Sequence, residues 1–180
     1  MATVNLLPNG DVLNNWDLST GSLAWQLVGG AAHGGTIASD STYLHSSTTS
    51  DSFIVEMSDF TEAYSSIDGV QGVVQSGNNG RGASFTIEMA MVSASGTFWP
   101  LESSGSQAGS RDYRTQTFTN RTTSDGSNAW TTGDLKNLRM RVDLTAHSSV
   151  VDTRCTFCYF IVTYTPPLVT DNSIFFGTNF

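Results

Sequence analysis

The sequence predicts an all-β chain folded as an antiparallel two-sheet sandwich of jelly-roll type. Three observations carry that expectation. Charged residues make up only 13% of the 180, and helical periodicity is nearly absent. Apolar positions recur at every second residue, the period of a strand with one dry and one wet face. Clusters of Ser, Thr, Asn and Gly separate these runs, and such residues favour turns because they tolerate or stabilise bent backbone.

Taken along the chain, Leu23, Trp25 and Leu27 alternate, which assigns Trp25 to the core. Short matches follow at Tyr43–Leu44, Phe53/Val55/Met57 and Val70 to Gln75. The clearest alternation is Phe85, Ile87, Met89 and Met91, with Ser84, Thr86, Glu88 and Ala90 between them. Tyr113 to Thr119 is a further short run. Leu138, Met140, Val142 and Leu144 repeat the strong pattern, leaving Arg139, Arg141 and Asp143 to be solvated or to meet acidic neighbours. Gly29-Gly30, Gly34-Gly35, Gly77-Asn78-Asn79-Gly80, Ser103 to Ser106 and Ser124 to Asn128 read as turns or loops. The segments Ala31–Asp40 and Gly96–Arg111 read as loops long enough to carry binding features. About eight to ten strands result, and at that number an open sheet splits into two packed layers or closes on itself.

The last run, Val150 to Thr165, is β-branched and aromatic and has the composition of a central strand. It stops at Pro166-Pro167, which lack the N–H that a ladder requires. The boundaries that follow are a sandwich over 1–165 and a C-terminal arm over 166–180. The arm carries Ile174, Phe175, Phe176 and Phe180, each of which loses about 2 kcal/mol by staying in water. These four are the expected interface residues, docking on another copy of the chain or on a partner.

A chain of 180 residues matches one domain, able to bury about 70% of its unfolded surface without disulfides or metals. Its formal net charge is −8, from 16 acidic and 8 basic residues. That balance repels phosphate backbones and anionic membranes, so neither nucleic acid nor membrane is an expected partner. Met1 to Asn5 lacks the basic start and apolar centre of a secretory signal, which points to synthesis in a cytoplasm. Two cysteines, Cys155 and Cys158, suit a reducing compartment.

No motif for catalysis emerges. Cys155-Thr156-Phe157-Cys158 has metal-like spacing, but side chains three apart on a strand point to opposite faces. A zinc site needs two further ligands as well, and His33, His45 and His147 are scattered. The sequence holds no Gly-x-Ser-x-Gly elbow and no phosphate-cradling Gly-x-x-x-x-Gly-Lys. Glu56, Asp59, Glu62, Glu88 and Glu102 are numerous enough for paired-carboxylate chemistry, but such pairs are defined by separation across a cleft. The expectation is a non-enzyme with no cofactor and no bound metal. Asn9-Gly10-Asp11 and Asn78-Asn79 lack the regular oxygen ladder of a calcium loop and read as turns. Trp16, Trp99 and Trp130 fall in or near loops, where large aromatics plug sandwich ends or stack on sugars. Trp99 and Trp130 are the candidate glycan platform.

The opening Leu7-Pro8-Asn9-Gly10-Asp11, with Asn15-Trp16-Asp17-Leu18-Ser19, Ala24 to Val28 and Ser41 to Ser46, resembles the start of small virion proteins of tailed bacteriophages. The strand Leu138-Arg139-Met140-Arg141-Val142 and the last strand, Thr156 to Tyr164, are similar to theirs too. The resemblance implies a jelly-roll sandwich without catalytic residues that decorates or cements the outside of a capsid. Its implied partners are the major capsid protein and copies of itself, as a trimer or dimer on the outer capsid surface of the virion. Carbohydrate-binding sandwiches share an Asn-Gly-Asp and Trp opening. The alternative is therefore a tail or fibre module that binds a host glycan.

Overall fold

The computed structural model describes residues 1–21, 23–29, 42–80, 83–93, 96–108, 113–148 and 152–168. Its strands are β1 (Ala2–Leu6), β2 (Pro8–Asn14), β3 (Asp17–Leu18), β4 (Leu44–Ser46), β5 (Ser52–Met57), β6 (Ser66–Asn78) and β7 (Ser84–Ser93). After them come β8 (Gly96–Ser103), β9 (Gln107–Ala108), β10 (Arg114–Thr117), β11 (Arg139–His147) and β12 (Thr153–Thr165). Two single-turn helices, α1 (Ala24–Leu27) and α2 (Thr132–Lys136), complete the described elements.

The strands form two antiparallel sheets packed as a jelly-roll sandwich. One runs β10-β6-β12-β4-β3, with β1 beside β12 at the end away from β4; the other runs β2-β5-β11-β7-β8, with β9 beside β7. Every alternation read from the sequence over β5, β7 and β11 faces inward: Phe53, Val55, Ile87, Met140, Val142 and Leu144 are fully buried. They meet Val70, Val74, Cys158, Phe160 and Val162 from the opposite sheet in one core. The layers approach closely where Gly72 lies under Met89 and Phe160, and a Cβ there would collide with the methionine methyl. Sandwich cores of this kind supply most of the driving force for folding, at about 25 cal/mol per Å² of apolar surface.

Several sequence expectations change in the fold. Leu23, Trp25 and Leu27 do not form a strand. The carboxylate of Asp11 accepts the N–H groups of Ala24 at 2.8 Å and Trp25 at 2.6 Å, and the chain curls into α1. Leu23, at the cap position, offers no side-chain acceptor; a residue of β2 supplies it instead, satisfying orphan donors of the first turn. Trp25 stays half-buried against the core. Asn9-Gly10-Asp11 lies within β2, whose register slips at Pro8/Gly10 and at Asp11/Leu13. Gly77 and Asn78 end β6 rather than forming a turn. Part of Gly96–Arg111 pairs as β8 and β9. Twelve strands among the described residues exceed the eight to ten expected, because β3 and β9 are two-residue pairings too short to show a period.

Candidate functional site

The outer face of the β10-β6-β12-β4-β3 sheet is the most distinctive surface of the molecule. Its central strand, β12, is apolar on both sides. Cys158, Phe160, Val162 and Tyr164 point into the core, while Phe157, Tyr159, Ile161 and Thr163 lie on the other face. Their β6 partners in register are Gln75 for Phe157, Val73 for Tyr159 and Gln71 for Ile161. Thr115 of β10 pairs with Gln75 in turn. Val73, Gln75, Thr115, Phe157 and Tyr159 line a shallow hollow of about 30 Å³.

The hollow combines an aromatic floor with neutral polar groups. The Phe157 and Tyr159 rings lie 5.0 Å apart at 44°. Phe157 and Val73 are buried at its base, and Tyr159 is half-buried at its side. The Gln75 Oε1 accepts from the Thr156 hydroxyl at 3.2 Å, which fixes the amide and leaves its Nε2 with no partner among the described residues. Gln71 is tied down by donating to the Phe118 carbonyl at 2.9 Å. No carboxylate lines the hollow. A half-exposed aromatic ring beside a fixed amide and a hydroxyl can pack on an apolar sugar face while hydrogen-bonding groups on its rim.

The extra residue that places these aromatics is Thr156. The register shifts between Cys155 and Phe157, so a bulge resets the alternation. This corrects the expectation that the two thiols face opposite sides: Cys155 and Cys158 both join the core and are both free. Burial pushes the Cys155 thiol up to about 12 and also holds Cys158 well above its ordinary value. Neither is a thiolate near neutral pH, the form that binds metals or attacks electrophiles. Among the described residues no group of three His, Cys, Asp or Glu side chains is placed to hold a metal.

The tryptophans singled out from sequence all make contacts within the scaffold. Trp130 is 3% exposed and donates its indole N–H to the Arg121 carbonyl at 2.7 Å; it has no ring face to offer a sugar, which corrects its place as a platform. Trp99 is half-buried and donates to the Thr123 carbonyl at 2.9 Å, while the Arg121 guanidinium lies 4.5 Å from its ring centre. Glu102 holds that guanidinium at 2.7 Å and accepts both the backbone N–H and the hydroxyl of Thr119. One face of Trp99 is therefore committed to an internal clamp between β8 and the 118–130 crossover. Trp16 is buried edge-on against Phe53 at 5.3 Å. Ile174, Phe175, Phe176 and Phe180 lie outside the described residues.

No protein-family model matches the chain, and no curated protein does. Among solved structures, the chain is similar to the CBM36-1 domain of a multidomain xylanase from the hindgut metagenome of Trinervitermes trinervoides. That match has 10% identity and a TM-score of 0.43, covering 92% of this chain and 100% of the domain. A carbohydrate-binding module CBM36 in complex with calcium and xylotriose is similar at 11% identity and a TM-score of 0.39, covering 89% and 98%. At that distance no residue role passes from either to this chain.

Proposed function

We propose that the chain is a non-catalytic carbohydrate-binding sandwich that takes a glycan on the outer face of the β10-β6-β12 sheet. One observation carries this reading: the hollow formed by Tyr159, Phe157, Val73, Gln75 and Thr115 is aromatic and neutral on a face that an antiparallel sandwich ordinarily leaves polar. Sugars present apolar ring faces bordered by hydroxyls, and an aromatic side chain beside an amide complements both. Two carboxylates, Asp68 and Asp125, are unsuited to act as general acids. Asp68 and Asp125 are both held below the ordinary carboxylate range, Asp68 by hydroxyls of Thr165 and Ser66 and Asp125 chiefly by the N–H of Asn128. A general acid needs the opposite shift.

Attachment to a host glycan, as in a tail or fibre module, is one setting that suits such a site. Decoration of a capsid draws on the arm residues Ile174 to Phe180, and no feature of the described sandwich favours it.

The test is a glycan array probed with the purified chain and with Tyr159→Ala. Binding that depends on Tyr159 supports the proposal. Absence of any glycan signal, or a signal indifferent to Tyr159, counts against it.

A further inference from the structure

Resting on that reading, we infer that the glycan is acidic and that Arg154 binds its carboxylate. Arg154 and Phe157 pair with Gly77 and Gln75, two residues apart on β6. They therefore share the outer face of the sheet as neighbours, about 7 Å apart. The Arg154 guanidinium lies 4.3 Å from the ring centre of Tyr43, which presents a second aromatic beside it. The hollow and this cation form one continuous strip: Tyr43, Arg154, Phe157, Tyr159.

Arg154, like Arg114 of β10, lacks the carboxylate partner that the other described arginines have, and unlike the exposed Arg114 it is half-buried and stacked on an aromatic ring. Arg121, Arg139 and Arg141 each meet a carboxylate, at 2.7, 3.7 and 2.7 Å. Arg154 has no acidic partner within 4.0 Å among the described residues, and its Nε is buried without a hydrogen bond. Its terminal nitrogens make no hydrogen bond among the described residues either, and the side chain as a whole is only half-buried. A guanidinium fixed by stacking, with an open pair of donors, is preorganised for a carboxylate or another planar anion.

The nearby charges decide the direction of approach. His45, opposite Arg154 in register, faces Asp17 on β3 and lies 3.7 Å from Asp152, which Asn79 holds through its amide. Those two carboxylates close the β4 side to an anion. On the β6 side Gly77 contributes no side chain and Gln75 is neutral, so a sugar lying over Tyr159 brings its carboxylate to Arg154 from there. This selects uronic-acid residues, in which the carboxylate is carried on the stacking ring itself.

Titration calorimetry with a matched pair of ligands tests the assignment: oligogalacturonate and its methyl ester, with neutral xylan and glucan oligosaccharides alongside. Oligoalginate and its ester repeat the comparison with other uronates. The free acid of at least one pair is expected to bind about tenfold or more tightly than its ester. Arg154→Gln should remove that preference, bringing the acid to the affinity of its ester, and Arg154→Lys should keep part of it. Equal binding of acid and ester in every pair overturns the role of Arg154 while leaving the glycan site intact, as does a preference that survives Arg154→Gln. Should Arg154→Gln fold poorly, Arg154→Lys replaces it: an acid preference undiminished in Arg154→Lys overturns the role of Arg154, and one that is reduced supports it. Failure of every acid, ester and neutral sugar to bind overturns both this inference and the function it rests on.

Discussion

The two outer faces of the sandwich are built from the same alternation and come out chemically opposite. On the β2-β5-β11-β7-β8 sheet the outward charges are matched, although Val12, Leu13 and Leu101 are exposed on its outer strands. Arg139 meets Glu56 at 3.7 Å, and Arg141 grips Asp143 through two 2.7 Å bonds. On the β10-β6-β12 sheet the outward residues are Phe157, Tyr159, Val73, Gln75 and Thr115, with no ion pair among them. Solvated ion pairs contribute about 0–1 kcal/mol each and serve solubility. Tyr159, half-buried on this face, contributes neither charge nor core packing, and under the proposed function this is the face that takes the glycan.

The comparison breaks first if β12 does not separate its two faces energetically. Phe160, fully buried among core residues, should cost about 3–5 kcal/mol when changed to Ala. One residue away, Tyr159→Ala should cost about 1 kcal/mol or less, because its site is open to solvent. Chemical denaturation of both variants reads the difference directly. Equal losses would mean that the hollow is part of the core.

A smaller effect concerns the scaffold beneath the faces. Asp11→Ala removes the acceptor for two N–H groups of α1 and should lower stability by about 1–2 kcal/mol, with the sheets retained. Circular dichroism and thermal melting check it. Smaller still, Glu56→Gln on the charged face should change stability by about 0.5 kcal/mol or less, and it should leave glycan binding untouched. The smallest effect is with acid. Since hydrogen bonds hold the Asp68 and Asp125 carboxyls below the ordinary aspartate value of 3.8, their contribution is present above that value and is lost as pH falls through the lowered folded values. Below about pH 4, melting temperatures should therefore drop in wild type more than in Asp68→Asn with Asp125→Asn.

The core was legible in the sequence because β5, β7 and β11 each keep a wet face. Alternation then names the buried residues without ambiguity. The site was not, and for the converse reason. With both faces of Val150 to Thr165 apolar, the run reads as a central strand buried on both sides. The Thr156 bulge also shifts the parity on which any reading of faces depends. The available signal was the mismatch itself, since an antiparallel sandwich offers its central strands only one core. Tryptophans drew attention to loops instead, although size alone does not tell a plug from a platform. Trp130 and Trp16 filled gaps in the core, and Trp99 was taken up by Arg121. Contacts across the chain also outvoted local pattern at α1, where Asp11, more than ten residues away, turns an apparent strand into a helix.

The central claim is that ligand binding belongs to the face of β12 and not to the loop tryptophans. Titration of one glycan, chosen from an array hit, against Tyr159→Ala and Trp99→Ala tests this most directly, with folding confirmed for both. The account predicts that Tyr159→Ala weakens binding by about tenfold to a hundredfold, and that Trp99→Ala leaves affinity within about twofold of wild type while lowering the melting temperature. Binding lost in Trp99→Ala and kept in Tyr159→Ala would contradict it.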